Sequence, residues 1–119
     1  MSIITPTQSN PPIPGHQNVP DVLQTVWANV SDVDTCTSVR TAYFANNTVQ
    51  MTGNFAGATV ILEGSNDNVT FFTLLDLFAA PVTFTSSGIK SVAQIPLYVR
   101  PSTSGGLHSR VAVNLVSRR

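Results

Sequence analysis

The hydrophobic and polar positions of this chain repeat with a period of two wherever they repeat. Successive residues of a strand point to opposite faces, so such alternation reads as half-buried β-structure. The clearest version lies in residues 48–75, where Val49 and Met51 alternate with Thr48, Gln50 and Thr52, and Ala58, Val60 and Leu62 alternate with Thr59, Ile61 and Glu63. Between these runs Asn54, Ala56 and Gly57 supply a turn, and residues 64–68 (Gly-Ser-Asn-Asp-Asn) supply a tight connection, since Gly and Asn tolerate reversed backbone angles and short polar side chains bond back to the chain. A third strand starts at Val69, with Phe72 and Leu74 on one face and Phe71, Thr73 and Leu75 on the other. The expectation is a meander of three consecutive strands. Its third member is either central, which would place Phe72 in the core, or covered on its outer face by another chain.

The same reading extends to both sides. Residues 22–30 (VLQTVWANV) and 37–45 alternate and are rich in β-branched and aromatic residues. Residues 81–85 read as a short strand with Pro81 at its first position, where a strand tolerates proline. Residues 89–95 and 97–101 follow, and Pro96 and Pro101 remove ladder donors there, which puts this stretch at an edge or a bend. Residues 102–106 form a loop before the last strand, 110–116, in which Val111, Val113 and Leu115 share a face. About eight short strands with turn signals and no helical period describe an all-β chain: an antiparallel β-sandwich, most simply a jelly roll, at residues 21–119. Strand order is not readable from spacing.

Residues 1–20 break the pattern. They hold Pro6, Pro11, Pro12, Pro14 and Pro20, which exclude a helix or a central strand. An extended N-terminal arm is expected, with Ile3, Ile4, Pro11, Pro12, Ile13 and Pro14 as its contact residues. It either grips a neighbouring subunit or other partner surface or folds back on its own domain; docking on a neighbour is the expectation carried forward.

Composition changes the picture in one respect. With 42% hydrophobic and only 10% charged residues in 119, the chain is too apolar for disorder and carries less than half the usual share of charge. Formal net charge is zero, so little repulsion keeps copies apart, and an assembly component is implied. Six basic residues, adjacent only at Arg118 and Arg119, make no footprint for a phosphate backbone, so nucleic acid is not expected as a partner. No apolar run reaches the roughly 20 residues of a membrane-spanning helix. No secretory signal is expected, and one cysteine, Cys36, fits a protein made in a reducing cytosol.

Candidate chemistry is sparse. Asp32 and Asp34 are two apart but lack the further oxygen ligands and closing Glu of a calcium loop. His16 and His108 have no nucleophile motif beside them, Glu63 and Asp67 are explained by a turn, and there is no phosphate-binding Gly loop or Cys/His metal spacing. No enzyme activity, cofactor or metal is therefore expected. Trp27, Phe71 and Tyr98 are the candidates for a subunit interface, with core packing or sugar stacking as the other readings of Trp27.

One resemblance adds to this. The pieces Gly53, Phe55, Gly57 to Val60, Leu62 to Asp67, Phe71-Phe72, and Tyr98-Val99-Arg100-Pro101 followed by Gly105-Gly106 resemble small β-rich bacteriophage virion proteins of the head decoration, or cement, type. The resemblance spans roughly residues 49–106, although a Gly and a Trp expected after the Asn-Asp are replaced by Asn68, Val69 and Phe71-Phe72. It implies a structural protein on the capsid surface, made in the host bacterial cytoplasm, that binds the major capsid protein and itself as a homotrimer and so contributes capsid stabilisation. A tail or fibre component, or a carbohydrate- or host-binding β-sandwich module, are the alternatives.

Overall fold

The computed structural model describes residues 3–10, 22–41 and 44–119. In chain order the strands are β1 (Ile3–Ile4), β2 (Thr7–Ser9), β3 (Val22–Val30), β4 (Thr35–Cys36), β5 (Val39–Arg40), β6 (Asn46–Asn54), β7 (Ala58–Ser65), β8 (Phe72–Thr73), β9 (Thr83–Phe84), β10 (Gly88–Val92), β11 (Tyr98–Gly105) and β12 (Arg110–Arg118). No helix occurs among the described residues. One sheet has the order β10-β6-β12-β3-β2, the other β5-β11-β7-β8 with β9 also on β7.

The pairing is that of a chain doubled back on itself. β3 pairs with β12, β5 with β11, β6 with β10 and β7 with β8, all antiparallel, so early strands meet late ones in nested order. Two further ladders, β6 with β12 and β7 with β11, close each half into a sheet. A long hairpin rolled into two facing sheets in this way is the jelly roll that the strand count implied.

The inward faces follow the alternation. Val49 and Met51 from β6, Val60 and Leu62 from β7, Val99 from β11, and Val111, Val113 and Leu115 from β12 are buried in one cluster with Trp27 and Val30 of β3. Trp27 is fully buried and its indole Nε1 donates to the Thr37 carbonyl at 2.8 Å. It is therefore a core residue, which corrects its reading as an interface anchor: a large aromatic whose single polar atom is satisfied internally has nothing left to offer a partner.

Four expectations are corrected by the pairing. The meander does not form, because β6 and β7 lie in different sheets and the chain crosses between them at residues 55–57. Phe55 is buried at this crossing, Asn54 Oδ1 accepts from the Ala56 N–H, and Ala56 and Gly57 take positive φ. The turn chemistry was legible but not which neighbour each strand would find. Second, residues 102–105 are strand rather than loop. β11 continues through Gly105 beside β7, while β5 covers only Tyr98 and Val99, so Pro101 stands where the far side of the strand is open.

Third, residues 3–10 are not a free arm. β1 pairs in parallel with β4, β2 pairs with β3, Ile4 packs against the core, and Asn10 Nδ2 donates to the Val22 carbonyl. Exposed N–H and C=O groups on the edge of β3 gain partners from this segment, which outweighs its freedom. Pro11, Pro12, Ile13 and Pro14 lie outside the described residues.

Fourth, of the two readings of the third strand the central one fails: Phe72 is 71% exposed although Leu74, two positions on, is buried. Phe72 pairs with Gly64, and a Cβ on Gly64 would lie 2.4 Å from Pro96 Cγ and 2.8 Å from Leu74 Cδ2. Half-buried Pro96 and buried Leu74 occupy the space over Gly64, and the Phe72 ring lies exposed beside them.

Candidate interaction surfaces

The register gathers the loops at two ends. Residues 31–34, 54–57 and 106–109 meet at one end, where the Leu107 N–H donates to the Ala56 carbonyl at 3.2 Å. Residues 66–71 and 93–97 meet Ser38 and Thr41 at the other: Leu97 N donates to Asn66 Oδ1, Thr41 N donates to the Leu97 carbonyl, and Ser38 Oγ bonds Asn68 Oδ1. Between the ends, on the flank beside β10, residues 76–80 stand out from the sandwich.

This flank loop is built around one carboxylate. Asp76 is buried, and its Oδ1 accepts from Phe78 N at 2.8 Å and Ala80 N at 3.0 Å. Asp76 N donates to the Ala80 carbonyl at 2.8 Å, and Ala79, at φ 61°, donates to the Asp76 carbonyl at 3.0 Å. A left-handed alanine costs roughly 1–2 kcal/mol. Four internal hydrogen bonds offset that cost and fix a turn whose visible product is exposure: Leu77 is 67% and Phe78 91% exposed. Ile89 of edge strand β10, also exposed, completes a mostly apolar groove of about 450 Å³. Lys90 in that groove donates to the Thr83 carbonyl and lies over the Phe84 ring, so its charge is already engaged. Leu77 and Phe78 were absent from the sequence-based candidates. The signal that marks them is an Asp followed at once by two large apolar residues inside a loop that ends in proline.

At the far rim from residues 31–34, the cleft over Gly64 has a volume of about 530 Å³ and is lined by Ser65, Asn66, Asp67, Thr70, Phe72, Gln94, Ile95 and Pro96, among others. Its floor is the turn after β7. Asp67 Oδ1 accepts from Ser65 Oγ and from the N–H groups of Val69 and Thr70 at 2.7–2.9 Å. The Ser65 hydroxyl and these backbone donors hold the Asp67 carboxyl down to about 2, so it is ionised throughout the physiological range.

The remaining candidates are placed as follows. Ile3 is exposed, whereas Ile4 is half-buried on its own core. Phe71 and Tyr98 are half-buried on the outer face of the second sheet. The Arg100 guanidinium lies 3.7 Å from the Phe71 ring centroid while Arg100 Nε bonds Glu63 Oε1 at 2.7 Å; Arg40 lies 5.7 Å from the Tyr98 centroid. Each ring thus carries a cation from its own sheet. The Asp34 carboxylate accepts from Ser31 N at 3.0 Å, which is turn chemistry. Among the described residues no group of three or more His, Cys, Asp and Glu is placed to hold a metal. Cys36 is buried, and burial, reinforced by Asp34, pushes its thiol up to about 12, far from a reactive thiolate.

No protein-family model matches the chain, and no curated protein sequence matches it. Among solved structures it is similar to the SPBc2 prophage-derived protein YomS, with a TM-score of 0.60 at 10% identity over 87% of this chain and 100% of that one. A cupin 2 domain-containing protein from Halorhodospira halophila aligns with a TM-score of 0.43 at 8% identity, over 93% of this chain and 62% of that one. At such identities the likeness to YomS is one of fold, and this chain shares the sandwich of that prophage-derived protein along nearly its whole length.

Proposed function

We propose that this protein is a non-enzymatic structural component of a bacteriophage virion: a decoration subunit that binds the outer surface of the head as a homotrimer and ties adjacent copies of the major capsid protein together. The observation that carries the reading is the Asp76 turn, which holds Leu77 and Phe78 in water beside Ile89 on a molecule of zero formal net charge with only 10% charged residues. Apolar side chains fixed in advance lose little entropy on docking, and a protruding aromatic that fills a pocket is the kind of residue that dominates a binding free energy. The fold shared with a prophage-derived protein supports a phage origin.

Attachment of this kind acts by mass action. A subunit that binds only the assembled shell stabilises that shell, and one that bridges neighbours multiplies its own affinity. Phe71 and Tyr98, with their arginines, offer a second face for contacts between copies. The direct test is co-sedimentation with heads that lack the protein. Wild-type chain binds, and Phe78→Ala weakens binding by about 10- to 100-fold, the range of an anchor residue. Equal binding by Phe78→Ala and Leu77→Ala would remove the flank loop as the attachment site.

A further inference from the structure

The rim cleft has a chemistry of its own that attachment to a shell does not use. Each amide side chain in it is pinned through its oxygen: Asn66 Oδ1 accepts from Leu97 N at 3.1 Å, and Gln94 Oε1 accepts from Leu75 N at 2.9 Å. These bonds fix which way the amides point, so both NH₂ groups are left as oriented donors, and neither has a partner among the described residues. Asp67 is likewise anchored through one oxygen, Oδ1, which leaves the other as an ionised acceptor at the surface. Beside these groups lies the exposed Phe72 ring, with Ile95 and Pro96 completing an apolar wall.

A ligand that satisfies this set needs hydroxyls that both give and accept hydrogen bonds, and next to them an apolar face of aliphatic C–H groups to lie on an aromatic ring. A pyranose ring has both. The lining holds no Lys, Arg or His, while the Asp67 carboxylate carries a full charge, so carboxylated, sulfated or phosphorylated ligands are repelled. The volume of about 530 Å³ lies within the range of small-molecule sites and accommodates one or two sugar rings.

We infer that this cleft binds a neutral hexopyranose residue, stacked on Phe72, with hydroxyls bonded to Asp67 and to the amide nitrogens of Asn66 and Gln94. The inference stands on the cleft alone and holds whether or not the protein decorates a capsid. It also moves the sugar-binding possibility away from Trp27, which is buried, to the exposed Phe72 ring.

The experiment is an NMR titration of the ¹⁵N-labelled whole chain with methyl hexopyranosides, neutral oligosaccharides and, as a third arm, glucuronate-containing oligosaccharides. At concentrations up to about 50 mM, at least one neutral probe shifts the side-chain NH₂ signals of Asn66 and Gln94 and the Thr70 amide, and the acidic arm does not. Response to monosaccharides alone marks a terminal-sugar site; response only to the oligosaccharides marks an internal residue of a glycan. Phe72→Ala, at an exposed position, weakens the response about tenfold, and Asp67→Asn, which keeps an oxygen to accept the turn's N–H groups, does the same. Phe78→Ala, on the flank, leaves it unchanged. Silence from all neutral probes, equal binding by Phe72→Ala, or preference for the acidic arm would overturn the inference.

Discussion

Leu62 and Phe72 show how differently two large apolar side chains are used in this molecule. Leu62 is fully buried between the sheets, whereas Phe72 is 71% exposed over the rim cleft. Leu62→Ala is expected to cost about 2–5 kcal/mol, the transfer term plus the cavity left behind. Phe72→Ala is expected to fall within about 0.5 kcal/mol of wild type, as surface changes do. Urea denaturation of both variants checks this, and a large loss for Phe72→Ala would put the ring in the core after all. At this scale the sequence is a good guide where a strand has one wet face: Val111, Val113 and Leu115, or Val60 and Leu62, are buried as their alternation says. It fails in the 69–75 stretch because both faces are apolar there, so alternation cannot choose between them. What decides is occupancy of the space over Gly64 by Pro96, which lies 32 positions away in sequence and leaves no local trace.

Among the elements, strands were more legible than their partners. The run from Val22 to Val30 is strand throughout, and β6, β7 and β12 lie where the period of two places them, each two to four residues longer. β6 and β7 read as neighbours from the sequence because a Gly/Asn turn looks the same whether it closes a hairpin or carries the chain from one sheet to the other. In this crossing the glycines report the tertiary contact. Gly57 and Gly106 face each other, both at positive φ, but only Gly106 is hemmed in: a Cβ there would lie 2.7 Å from Ala58 N, whereas one on Gly57 meets nothing closer than 3.9 Å. Gly57→Ala should therefore cost only the left-handed conformation, about 1–2 kcal/mol, and Gly106→Ala at least about 1 kcal/mol more, because backbone atoms cannot step aside. Thermal unfolding of the pair tests the crossing directly; equal losses would mean that the two loops are not in contact.

For the whole molecule, the jelly roll and its low charge were legible, and its working surfaces mostly were not. Proline content marks residues 1–20 as extended, yet whether an extended segment docks on a neighbour or on its own sheet depends on which edge is open, and here β2 covers the edge of β3. The flank loop was hidden for another reason: Leu77 and Phe78 belong to no periodic element, and only the buried Asp76 carboxylate and its bonds turn a connection into a fixed projection. Under the proposed function, a neutral sandwich that displays apolar anchors on a hydrogen-bonded loop serves as one of many copies on a surface that offers a matching pocket. Counting those copies is the most direct test of that claim. Mass spectrometry of gradient-purified virions should find close to one copy of this protein per major capsid subunit. A few to a few tens of copies per particle, or none, would contradict head decoration, since only the shell repeats its site that often.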